Sequence, residues 1–121
     1  MKKRISVLED DQDLRDMFTI LLEGEGYQVE TFATVASFNQ GLEQNLPDLF
    51  ILDVRLPDGN GMEVCKLVKS AKETSNIPVI VMSAHRNFDR QISTCTAEAY
   101  VAKPFEITSL IGQIRQLLGK N

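Results

Sequence analysis

The run Leu49-Phe50-Ile51-Leu52 is unbroken in apolar side chains and stops abruptly at Asp53. Successive residues of a strand point to opposite faces, so such a run needs cover on both sides. It predicts a central strand buried on both faces. The rest of the chain agrees, because short β-type runs alternate with helical patterns, the signature of a parallel sheet with crossover helices.

Ile5-Ser6-Val7-Leu8 predicts the first strand, and Leu14, Met17, Phe18, Leu21 and Leu22 then recur at helical spacing. Asp11 is the expected N-cap of that helix, and Gly24 or Gly26 its stop. Gln28 to Phe32 predicts a second strand, and Val35, Phe38 and Leu42 mark a helix capped by Thr34. After the central strand, Pro57-Asp58-Gly59-Asn60-Gly61 is a turn, with Asn60 capping a helix from about Gly61 to Lys72. Val64, Cys65, Leu67 and Val68 cannot all face one way, so at least one should be partly exposed. Pro78 to Met82 ends at Ser83, and Ala99 to Ala102 ends at Lys103-Pro104; these are the fourth and fifth strands. Leu110, Ile111, Ile114, Leu117 and Leu118 predict the last helix. Between Arg86 and Glu98 helix propensity is poor, and a short or irregular fourth helix is expected there.

At 121 residues there is room for one domain, 1–121, and not for two. No apolar run approaches a membrane span, no signal peptide is recognisable, and a cytoplasmic location is expected. The net charge of −4 argues against direct nucleic-acid binding by this domain. Cys65 and Cys95 are too few for a disulfide framework or zinc site, and reduced thiols are expected.

Right-handed crossovers put every loop that follows a strand on one edge of a parallel sheet, the edge where ligands bind. Four of the five expected strands deliver polar groups there: Glu9 and Asp10, Asp53, Ser83 and Lys103. Each has a plainer role alone, as a helix-start acid, a turn residue, a cap or a surface charge. Together they form a site. Three clustered carboxylates repel one another unless a cation compensates, and hard oxygen ligands suit Mg2+. The lysine is a counter-charge for a phosphoryl group, the serine hydroxyl a donor to it, and a carboxylate can act as the nucleophile.

These residues resemble the receiver domains of bacterial two-component response regulators, along essentially the whole chain. The matching motifs are Val7-Leu8-Glu9-Asp10-Asp11, residues 47–53, Leu56-Pro57-Asp58-Gly59, Met82-Ser83-Ala84 and residues 100–105. The resemblance implies an α/β fold with a single doubly wound, five-stranded parallel sheet, flavodoxin-like in strand order 2-1-3-4-5, and five helices. It implies Asp53 as phosphoacceptor and Asp10 as direct Mg2+ ligand, with Glu9 acting through a metal-bound water and the backbone carbonyl of Arg55 completing the set. Ser83 and Lys103 would grip the phosphoryl oxygens, and Tyr100 would turn inward as Ser83 moves. The Lys103-Pro104 bond would be cis. The phosphate would come from a sensor histidine kinase or histidine phosphotransfer protein. The domain would catalyse its own phosphorylation and aspartyl-phosphate hydrolysis and switch a surface read by a downstream output domain or protein. A phosphorylation-dependent dimer is left open.

Two departures from the family pattern stand out. The stretch from Ser83 to Lys103 is slightly short, and Thr96-Ala97-Glu98-Ala99 replaces a glycine-containing turn. Arg55 and His85 flank the site; Arg55 pairing with Asp58, or covering the water path, competes with a plain solvated role. A haloacid-type phosphohydrolase would place a second acid where Arg55 stands. A flavodoxin would not put Glu9-Asp10-Asp11 in a phosphate loop. A degenerate receiver that only docks to proteins is the remaining alternative.

Overall fold

The computed structural model describes residues 2–84 and 95–119. Strand β1 (Arg4–Leu8), helix α1 (Gln12–Gly24), β2 (Gln28–Phe32), α2 (Val35–Gln44) and β3 (Leu49–Asp53) follow in order. A two-residue pair, β4 (Arg55–Leu56) and β5 (Gly59–Asn60), precedes α3 (Gly61–Ser70). Then come β6 (Val79–Ser83), β7 (Ala99–Ala102) and α4 (Ile107–Leu118). The main sheet runs β2-β1-β3-β6-β7, all parallel, which is order 2-1-3-4-5 among its own strands. The expected fold class is therefore the observed one. Four helices are present among the described residues. The expected fourth of five falls largely on residues 85–94, outside them; residues 95–97 are not helical.

All five residues of β3 are buried. Phe50 and Leu52 enter one core with Phe38, Val64 and Val68, while Leu49 and Ile51 enter the other with Phe18, Leu22, Leu110 and Ile114. Each such side chain contributes roughly 1.5–3 kcal/mol by leaving water. That is why the apolar run dictates a three-layer arrangement, with α2 and α3 on one face and α1 and α4 on the other.

The helix ends follow their local chemistry. Asp11 accepts from Leu14 N–H, Thr34 from Ser37 N–H and Asn60 from Met62 N–H, each satisfying a donor that has no partner within its own helix. Glu106 does the same for α4, accepting from Thr108 and Ser109. The exposed apolar residue expected on α3 is Leu67, at 69% exposure. No helix among the described residues is long and apolar enough to cross a membrane.

One expectation is corrected. Cys65 and Cys95 are joined as a disulfide, with their Cα atoms 6.0 Å apart. Helix α3 packs on β3 and β6, and Cys65 on it meets the segment that leads into β7. A separation of 30 residues hides that meeting from local sequence patterns.

Candidate functional site

The carboxyl edge of the sheet gathers the polar strand ends. Parallel register pairs Leu8 with Leu52, Asp53 with Met82, and Ser83 with Ala102, so the residues that follow each strand emerge side by side. Glu9, Asp10 and Asp53 each offer an oxygen, all within 4.8 Å of one another. Glu9 and Asp53 are buried, whereas Asp10 faces solvent.

Lys103 closes the cluster. Its Nζ donates to Glu9 Oε1 at 2.7 Å and stands 3.2 Å from Asp53 Oδ2. Burial pushes the Glu9 carboxyl up to about 7, with nearby Asp53 adding to the rise; the hydrogen bonds from Lys103 and from Asp11 N–H pull only partly the other way. Burial also works against charge on Lys103, but the bond to Glu9 and the field of Asp53 outweigh it and hold the ammonium above its ordinary value. One cation therefore faces three acids, and the donor set has room for further positive charge. Hard carboxylate oxygens at this spacing fit Mg2+.

Ser83 is buried at the end of β6, and its carbonyl accepts from Lys103 N–H at 2.8 Å, so serine and lysine are fixed to each other through the backbone. The Lys103-Pro104 peptide is cis, as expected. Tyr100 is half-buried, and its hydroxyl donates to Cys95 O at 2.6 Å. Arg55 is exposed. Asp58 turns away from it: Oδ1 accepts from Val35 N–H at 2.8 Å and Oδ2 from Ala36 N–H at 3.1 Å. These bonds, the one from Val35 foremost, hold the Asp58 carboxyl below its usual range. His85 lies outside the described residues.

Two residues escaped sequence reasoning. Arg15 Nη1 donates to the carbonyls of Glu9 at 3.0 Å and Asp10 at 2.8 Å, bracing the acidic loop from within α1. A polar residue four beyond the N-cap, one turn above the loop, was the available signal. Gly61 is the other. A Cβ there would be driven into the backbone oxygen of Asp53, so only glycine lets α3 start against the site.

With fold and site in place, the family follows: the chain belongs to the response regulator receiver domain family, which matches residues 5–115. It is 32% identical over 120 residues to the phosphate regulon transcriptional regulatory protein PhoB of Rhizobium meliloti (strain 1021), covering 98% of this chain and 53% of that protein. The chain thus spans about half the length of the curated relatives it matches. Among solved structures it resembles a putative response regulator from Chloroflexus aurantiacus J-10-fl, with TM-score 0.89, 28% identity and 98% of each chain covered. It also resembles the response regulator protein TrrA from Thermotoga maritima, solved in complex with Mg(2+)-BeF, with TM-score 0.83 and 28% identity over 98% of this chain and 100% of that one.

Proposed function

We propose that this receiver domain accepts a phosphoryl group on Asp53 from a sensor histidine kinase or histidine phosphotransfer protein and later hydrolyses it. The observation that carries the reading is Lys103 set between buried Glu9 and Asp53, with Asp10 completing the acidic cluster. In the transfer, an Asp53 oxygen forms a bond to phosphorus as the bond from phosphorus to the donor's imidazole nitrogen breaks, and the imidazole leaves. In hydrolysis, a water attacks phosphorus, the Asp53 carboxylate departs and inorganic phosphate is released.

Glu9, Asp10, Asp53 and the Arg55 carbonyl would hold Mg2+, which when bound neutralises charge on phosphoryl oxygens. Lys103 supplies a fixed positive charge 3.2 Å from Asp53 Oδ2, and the Ser83 hydroxyl would donate to a phosphoryl oxygen. Ser83 shifting toward the phosphate and Tyr100 turning inward together bias the surface around β7 and α4, where a downstream partner docks. One relative, of which the chain covers 53%, is a DNA-binding response regulator, so a DNA-binding output supplied outside this domain is the favoured downstream element. A phosphorelay role of this kind belongs in the cytoplasm.

Incubation with Mg2+ and acetyl phosphate or phosphoramidate should add one phosphoryl group by intact mass, and Asp53→Asn should abolish it. Equal modification of the variant would refute Asp53 as acceptor. No modification by any small donor or kinase would leave the degenerate, docking-only receiver as the better reading.

A further inference from the structure

The loop that leaves Asp53 is fastened to helix α2 by a side chain that the phosphoryl chemistry does not use. The first three N–H groups of α2 have no partner inside the helix. Thr34 Oγ1 takes Ser37 N–H at 3.1 Å, and the other two, Val35 and Ala36, are taken by the two carboxylate oxygens of Asp58. Asp58 sits between β4 and β5, whose register pairs Arg55 with Asn60 and Leu56 with Gly59. The contact is close: a Cβ on Gly59 would reach to 3.0 Å from Val35 Cγ2, so the loop tip packs directly on the start of α2.

The base of the same loop is held by Val54 N–H to Met82 O at 3.0 Å and Gly61 N–H to Val54 O at 2.9 Å, with Arg55 paired to Asn60 just beyond it. Those bonds fix where the loop begins and ends. The tip, which the chain reaches three residues after Arg55, is anchored to α2 through the Asp58 carboxylate. We propose that Asp58 is a positioning residue for the cation site: by capping α2 from the loop, it holds residues 55–58 where the Arg55 carbonyl completes the ligand set of Glu9, Asp10 and Asp53. This rests on the metal reading given above and adds a consequence to it. Because binding linkage is reciprocal, cation occupancy should tighten the first turn of α2, which lies outside the acidic cluster of Glu9, Asp10 and Asp53.

The test is Mg2+ titration of the whole chain by calorimetry, with amide hydrogen exchange read at Val35 and Ala36. Asp58→Ala should weaken Mg2+ binding roughly tenfold, within the usual range of coupling between sites. Asp58→Asn, which keeps one acceptor oxygen, should recover part of that loss. Glu63→Gln removes the same charge from an exposed side chain in the first turn of α3 and should change affinity less than twofold. In the wild-type protein Mg2+ should slow exchange at Val35 and Ala36, and Asp58→Ala should erase that response. Asp58→Ala binding as tightly as wild type overturns the proposal, as does an equal loss in Glu63→Gln, which would make the effect one of charge. Should Asp58→Ala fail to fold, the wild-type exchange response and Asp58→Asn decide it, and no Mg2+-dependent protection overturns it. A wild-type chain that takes up no Mg2+, or an Asp10→Asn variant that binds as well as wild type, overturns the metal reading itself and is recognisable as that failure.

Discussion

Lys103 Nζ lies 2.7 Å from Glu9 Oε1, joining the end of the last strand to the end of the first across 94 residues of sequence. The pair is protected from water, with 19% of the Lys103 side chain and 1% of the Glu9 side chain exposed. It is therefore the electrostatic centre of the site in the absence of a cation, and its behaviour can be tested directly.

Removal of the ammonium leaves Glu9 buried beside Asp53 without compensation. Lys103→Met should cost roughly 3 kcal/mol at pH 8, the scale for breaking a buried pair from one side. The loss should shrink at pH 5.5, where Glu9 takes a proton and no longer needs a partner. Urea unfolding at the two pH values measures the difference; equal losses would show that packing, not charge, is what Lys103 contributes.

The raised Glu9 carboxyl sets a pH window. A carboxyl raised on folding stabilises fully below its unfolded value, and the contribution is lost as pH climbs through the folded value. Stability of the metal-free protein should therefore decline between about 4.5 and about 7 and then level off. A nearby Mg2+ would favour the ionised form of Glu9 over the protonated one, so Mg2+ affinity should rise over the same interval. Thermal unfolding across pH with and without Mg2+ checks both slopes; a flat metal-free curve in that range contradicts the assignment.

Gly61→Ala places a methyl group against the backbone of Asp53. Because the obstacle is main chain rather than a yielding side chain, the variant should lose at least 1–3 kcal/mol, the range for overpacking. Phosphoryl acceptance should fall as well, since Asp53 must shift. Unfolding and the acetyl phosphate reaction measured together separate this from Gly112→Ala, which meets nothing nearby inside α4 and should stabilise by about 0.5–1 kcal/mol without changing phosphoryl acceptance.

Oxidised protein should be more stable than reduced. The Cys65–Cys95 link closes a loop spanning a sequence separation of 30, which in the chain-entropy account corresponds to about 3–4 kcal/mol. The urea midpoint should drop on adding a thiol reductant, and Cys65→Ala should be insensitive to it. Two titratable thiols in protein purified under air would contradict the link.

The sequence by itself determined everything that depends on neighbours along the chain. The apolar run of β3 required cover on two faces, and caps at Asp11, Thr34 and Asn60 began the helices where local hydrogen bonding favoured them. Parallel topology then obliged Glu9, Asp10, Asp53, Ser83 and Lys103 to share one edge. Glu106 as the cap of α4 was not foreseen, although its chemistry is equally local.

Tertiary structure alone decided which partner each group found. Lys103 goes to Glu9, Asp58 to the start of α2 rather than to Arg55, Arg15 to the carbonyls of the acidic loop, and Cys65 to Cys95. Such pairings depend on how closely helices and loops pack against the sheet, and on which charges burial leaves needing compensation. Periodicity and capping carry none of that information, because those forces act between segments that meet only once the chain has folded.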